Sequence, residues 1–186
     1  ITPPTCNLAT GSVLLIGLPS TGNWTLTRYP GTITLENSGA SYTVSGLSSG
    51  LYNYSVTNAS GCTSTLSANV NIPAQPATPG APVVGTITQP TYTVPTGSVN
   101  LSGLPVSGTW TLTILPGGAT INASGTTRAV TGLDPGTYTF TVTNAAGCIS
   151  LPTANVVINA RPGIPVLTIN NPATVCSNQT ADLTLQ

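Results

Sequence analysis

The sequence predicts an all-β protein of two tandem sandwiches followed by the start of a third module, and three observations carry that prediction. The chain repeats itself: residues 11–72 lie over residues 97–158 without a gap, and 33 of the 62 paired positions are identical. Within each copy, short runs alternate apolar and polar residues at period two, the spacing at which a strand sends successive side chains to opposite faces. Clusters of Gly, Pro, Ser and Asn punctuate the runs, and no stretch carries the 3.6-residue period of a helix.

In the second copy the runs are, in order, TYTV (91–94), SVNLSGL (98–104), TWTLTIL (109–115), ATINA (119–123), RAVTGL (128–133), TYTFTVT (137–143) and ANVVINA (154–160). Seven short strands in about 80 residues fit an immunoglobulin-like sandwich. The third strand of that fold buries a Trp between the sheets, which makes Trp24 and Trp110 core pins; the alternation Trp110, Leu112, Ile114 points all three inward. In GLSSGLYNYSV and GLDPGTYTFTV a Tyr follows a turn Gly by two residues, as in a tyrosine corner at the start of the sixth strand, so Tyr52 and Tyr138 are read as further core pins.

These elements set the boundaries: module 1 over 1–74, a linker over 75–82, module 2 over 83–160, and 161–186 as a second linker with the first strands of an incomplete third module. Around the linker Pro73, Pro76, Pro79 and Pro82 recur every third residue, the period of polyproline II, which predicts a stiff spacer. The tail from Val166 to Gln186 is too short to bury a sandwich core. It reads as a window cut from a longer array, with a strand donated to a neighbouring subunit's sheet as the alternative.

Ionisable chemistry is nearly absent. The 186 residues hold three Arg (Arg28, Arg128, Arg161), three acids (Glu36, Asp134, Asp182), no Lys and no His, so 3% are charged against about 25% in an ordinary domain. Such a chain lacks the groups for general acid/base catalysis, a carboxylate metal cage or phosphate recognition, and it is read as non-enzymatic, without a cofactor or metal. Zero net charge excludes a basic face for nucleic acid. No apolar run reaches the about 18 residues a membrane span needs. A surface wetted by Thr, Ser and Asn, with little charge repulsion, associates readily. The expected partners are copies of the chain or neighbouring repeats in a fibre.

The four cysteines, at 6, 62, 148 and 176, show no CxxC spacing, and without His they do not make a zinc site. Disulfides in an oxidising, extracellular setting are the default. Cys6 opens the first strand and Cys62 follows the TNASG turn before the last. Placing both at one pole of the sandwich predicts a Cys6–Cys62 bridge. Tyr92 stands where Cys6 stood, which leaves Cys148 unpaired and Cys176 paired outside the chain; a Cys148–Cys176 bridge is the rival.

The copies also differ. Module 1 has Leu14 and Ile16 where module 2 has Asn100 and Ser102, on the outward side of a strand whose Val13 and Leu15 face the core. That pair is a candidate contact patch. For a glycan-binding module, the weaker functional class, the candidates are Tyr29 and Tyr42, which module 2 replaces with Leu115 and Arg128.

The shared motifs GSVxLxGLPxxGxWTLT and GLxxGxYxxxVTNAxGC, together with the Pro-rich joins, resemble the tandem immunoglobulin-like repeats of giant surface adhesins of Bacteroidetes bacteria. PATVCSNQTADLT resembles the opening of another repeat type in such proteins. The resemblance covers nearly all of both modules. It implies export, often by the type IX secretion system, and a structural part in cell-surface filaments, adhesion, gliding or biofilm. The departure from the pattern is Tyr92 in place of the first Cys.

Overall fold

In a computed structural model that describes residues 1–168, every element is a strand. Module 1 holds β1 (Gly11–Ile16), β2 (Asn23–Tyr29), β3 (Ile33–Ser38), β4 (Ser41–Leu47), β5 (Gly50–Asn58) and β6 (Val70–Ile72). Module 2 holds β7 (Val83–Thr88), β8 (Gly97–Ser102), β9 (Trp110–Leu115), β10 (Ala119–Ala123), β11 (Thr127–Leu133), β12 (Gly136–Asn144) and β13 (Val156–Ile158). In module 2 a four-stranded sheet, β10-β9-β12-β13, faces a three-stranded sheet, β11-β8-β7. Module 1 repeats this as β3-β2-β5-β6 over β1-β4. A lone bridge from Thr2 to Ser12 occupies the register that Thr88 and Ser98 hold between β7 and β8. These are immunoglobulin-like sandwiches in which the strand after the Trp strand stays beside it instead of crossing to the opposite sheet.

Each core lies between its two sheets. Trp110, Leu112, Phe140 and Val142 from one sheet meet Val99, Leu101 and Val130 from the other, and Trp24, Leu26 and Tyr54 likewise meet Val13, Val44 and Leu47. Both Trp side chains are 2% exposed. Each indole Nε1 donates to a turn carbonyl, Trp24 to Gly39 at 3.0 Å and Trp110 to Gly125 at 2.9 Å, so the polar edge of the ring is satisfied. Tyr52 donates to the carbonyl of Ser48 and Tyr138 to that of Asp134, each at 2.9 Å, with both rings half-buried. That link to the backbone four residues upstream is the tyrosine corner.

The first strand of module 2 differs from the sequence expectation. It is Val83–Thr88, and Thr91 to Val94 instead form a turn closed by the Thr91 amide on the Val94 carbonyl at 2.8 Å. The period-two signal in β7 is broken at Gly85, where the pairing with β8 shifts between Val84 and Ile87. A Cβ on Gly85 would sit 3.0 Å from the Asn100 carbonyl oxygen, so a side chain would crowd the neighbouring strand.

The last strands are short because side chains replace part of the ladder. After β5, Ser64 and Ser67 each return an amide to a β5 carbonyl and accept a β5 amide on Oγ: Val56 to Ser64 at 3.1 Å and Tyr54 to Ser67 at 3.0 Å. Ser150 and Thr153 do the same for Val142 and Phe140. These hydroxyls satisfy strand donors where a regular last strand would be.

Candidate functional site

The built feature of this chain is the joint between the modules. Module 1 delivers it at the pole where β1 starts, β4 ends and β5 starts: Gly11 pairs with Leu47, and Gly50 pairs with Ile72, the last residue of β6. Cys6 is at this pole. The Gln75 side chain donates from the linker to the carbonyls of Cys6 at 3.0 Å and Thr5 at 3.2 Å. Cys62 follows Asn58 at the other end of the nine-residue strand β5, about 26 Å away at the strand rise. A disulfide needs Cα atoms within about 7 Å.

The predicted Cys6–Cys62 bridge is therefore wrong, and so is the unpaired Cys148. The disulfide joins Cys6 to Cys148, across the two modules and 142 residues of sequence, with Cα atoms 5.4 Å apart. Among the described residues Cys62 is a free, exposed thiol. The error was the pole: Cys6 and Cys62 cap opposite ends of module 1, whereas the linker carries the Cys6 pole of module 1 onto the Cys148 pole of module 2. Cys176 lies outside the described residues. One sequence signal pointed to the true pairing: module 2 keeps Cys148 although it has Tyr92 in the place of Cys6, so the partner of Cys148 lies in another module.

The turn that presents Cys148 is rigid. Asn144 Oδ1 accepts from the amides of Ala146 at 3.1 Å and Cys148 at 3.0 Å, and the Asn144 amide donates to the Cys148 carbonyl at 3.0 Å. Gly147 supplies the left-handed residue that closes it (φ 81°). The same Asn donates through Nδ2 to the linker carbonyl of Ala77 at 2.8 Å, and the Cys148 sulfur lies 3.9 Å from the Pro76 carbonyl oxygen. Pro76 and Pro79 are half-buried and Pro82 is buried, while the linker residues between them are exposed. One side of the linker is thus seated on the protein. Staple, Gln75 clasp and Asn144 clasp together hold the joint at three points.

Where the chain leaves module 2 the clasp persists without the staple. Arg161, in the register of Gln75, donates to the carbonyl of Tyr92, in the register of Cys6. Its guanidinium also lies 5.1 Å from the centroid of the Tyr92 ring, a cation–π contact. Gln89 ties the same region down, donating to Val157 at 2.9 Å and accepting from Asn159 at 2.8 Å. Sequence reasoning missed Gln75, Asn144 and Arg161 because an amide or guanidinium in a Pro-rich stretch has no pattern until its backbone partner is known.

The other candidates sit as follows. Leu14 and Ile16 are 58% and 77% exposed at the outer edge of β1. Tyr42 packs edge-on against Trp24, ring centroids 5.9 Å apart, and pairs with Leu15 on the β1-β4 sheet. Tyr29 is five residues from Trp24 along β2, about 17 Å at the strand rise, so the two tyrosines do not form one aromatic platform. A cleft of about 260 Å³ opens beside β1, lined by Leu15, Leu18, Leu26, Tyr54 and Leu66 among others.

No family model matches the chain, and no curated protein matches it. Among solved structures, the chain is similar to the FN1–FN3 domains of chicken CNTN1, with 12% identity over 87% of this chain and 63% of that one and a TM-score of 0.43, so it spans less than two thirds of that length. It is also similar to the human OSCAR ligand-binding domain, with 15% identity over 85% of this chain and 92% of that one and a TM-score of 0.36.

Proposed function

We infer that this chain is a non-catalytic, load-bearing segment of an extracellular fibre or long surface adhesin, in which stapled immunoglobulin-like modules act as a spacer and associate with neighbouring repeats. The observation that carries the reading is the position of the disulfide. Cys6–Cys148 adds nothing within either core; it locks one module to the next. A binding domain needs a presented surface, whereas a locked joint is useful where modules in series must hold a direction under tension. Three further features support the reading. The repeat puts the same core into both modules, the near absence of charge favours lateral association, and a disulfide of this kind persists in an oxidising compartment. Against a glycan-binding module stands the placement of Tyr29 and Tyr42, the first at one end of β2 and the second packed on Trp24 at the other.

The test is electron microscopy of the native material with and without reductant. Regular filaments whose modules lie in a fixed line, and which lose that line on reduction, are the expected result. Isolated short rods, unchanged by reductant and retained on immobilised glycans, would replace this reading with the binding-module one.

A further inference from the structure

Among the described residues the same surface occurs twice, covered on module 2 and less covered on module 1. On module 2 the arriving chain covers it. Val83 and Val84 pair with Ser102 and Leu101, the linker carbonyl of Ala77 accepts from Asn144 Nδ2, and Cys6 bonds to Cys148. Under that cover Leu101, Leu104, Cys148, Ser150 and Thr153 are all buried, none more than 6% exposed. On module 1 the residues in the same register are less covered: Leu15 and Leu18 are half-buried, while Cys62, Ser64 and Ser67 are exposed. The 260 Å³ cleft beside β1 lies over Leu15 and Leu18, where β7 and the end of the linker lie over Leu101 and Leu104 in module 2.

The thiol on this open surface is presented by the same turn. Asn58 Oδ1 accepts from the amides of Ser60 at 3.0 Å and Cys62 at 2.9 Å, and the Asn58 amide donates to the Cys62 carbonyl at 3.0 Å, bond for bond as in Asn144 to Cys148. In module 2 that turn ends in a disulfide to the preceding module. We propose that Cys62 is the acceptor of a second inter-module disulfide, formed with a cysteine placed as Cys6 is, in the turn ahead of β1, on a module of this same kind that docks on module 1 as module 1 docks on module 2. The docking segment is an extended, Pro-rich stretch ending in an apolar pair that adds a strand to the β1 edge, where Leu14 and Ile16 are exposed, and fills the cleft. This rests on the stapled joint described above and extends it one module back: module 1 takes a cysteine from behind at Cys62 and gives Cys6 forward, whereas module 2, with Tyr92 in that place, only takes one.

The bond forms by thiol–disulfide exchange. The Cys62 thiolate attacks the sulfur of the partner cysteine while that cysteine is held in a mixed disulfide with a low-molecular-weight disulfide or a disulfide oxidoreductase. The Cys62–partner bond forms, the mixed disulfide breaks, and the carrier leaves as a thiolate. Overall two cysteine thiols lose two electrons and two protons, and the carrier disulfide is reduced to two thiols.

The experiment places a second copy of residues 1–86, carrying Cys62→Ser so that only the native Cys62 is read, directly before Ile1 of the full chain, which continues the 86-residue register. After oxidative refolding, the chain is denatured without reduction, alkylated, and its disulfides are mapped. The expected result is a bridge from the added Cys6 to Cys62 beside the native Cys6–Cys148 bridge, with alkylation of Cys62 lost, and Cys6→Ser in the added copy restoring it. Full alkylation of Cys62 in molecules whose Cys6–Cys148 bridge is intact would overturn the proposal. Absence of the Cys6–Cys148 bridge itself would overturn the stapled joint on which it rests. In native material, non-reducing denaturing gels identify the source: a Cys62 bridge within one polypeptide leaves its mass unchanged, and a bridge to another copy raises it. Cys62 recovered there as a free thiol contradicts the proposal.

Discussion

Pulling the chain by its two ends tests the position of the staple most directly, because the staple decides which residues carry the load. Tension entering at Ile1 reaches Cys6, crosses to Cys148 and leaves through the residues that follow, so the 142-residue interval between them is bypassed. At about 3.4 Å per extended residue, that interval holds about 480 Å of contour length. In optical tweezers the oxidised chain is therefore expected to lack that extension. Adding reductant, or changing both Cys6 and Cys148 to Ser, releases it as module 1 and module 2 unfold. A Cys6–Cys62 bridge would hide only 56 residues, the difference of the two positions, or about 190 Å, and module 2 would unfold under load in the oxidised chain. An extension near 190 Å gained on reduction, or no gain at all, would refute the inter-module staple. On the chain-entropy model, closing a loop of this length also contributes roughly 5 kcal/mol against unfolding, so the reduced protein should melt at a lower temperature.

Two substitutions test the packing. The Tyr54 hydroxyl is buried without a partner, and module 2 has Phe140 in its place, so Tyr54→Phe is expected to stabilise module 1 by roughly 1–2 kcal/mol in urea titration. Burial raises the Tyr54 phenol pKa above its usual 10, with the positive charge of Arg28 opposing the rise and Tyr52 adding to it. The native state thus keeps a proton that the unfolded chain releases near pH 10. The associated stability is fully present below that pH and is lost as pH climbs through the raised native value. Tyr54→Phe should flatten that part of the profile; an unchanged slope would mean the phenol does not stay protonated in the fold. At Gly97 an added Cβ would lie 2.8 Å from the Thr88 carbonyl oxygen and 2.8 Å from Ile158 Cγ2. Gly97→Ala should therefore cost roughly 1–3 kcal/mol, against almost nothing for Gly80→Ala, where no atom lies within 4 Å. Equal urea midpoints for the two variants would contradict the close packing of β7, β8 and β13.

The parts of this structure legible in sequence are those with a period. Alternation revealed the strands around Trp24 and Trp110, and the tyrosine corners followed from a Gly–x–Tyr placement at a turn. The missed parts have none. β7 was hidden by a register shift at Gly85, while Thr91 to Val94, which do alternate, form a turn. Cys6 and Cys148 were misassigned because a disulfide depends on which pole each end of the chain reaches, and that is set by the linker's path, not by any local run. The linker's own grip on the protein, through Gln75 and Asn144, is addressed to backbone carbonyls, which every residue offers and no sequence distinguishes.

The exit from module 2 has mechanical consequences of its own. Arg161 rests on the carbonyl and ring of Tyr92 where module 1 uses a covalent bond. A cation–π contact of this exposed kind contributes about 0.5–1 kcal/mol, close to thermal energy, and the hydrogen bond beside it exchanges readily with water. The first joint is therefore held by a bond that thermal motion does not break, and the exit of module 2 by contacts that it does. What holds the end of a module turns on one residue, position 6 and its equivalent 92: cysteine ties it covalently to the neighbouring module, and tyrosine offers only a carbonyl and a ring for Arg161 to rest on.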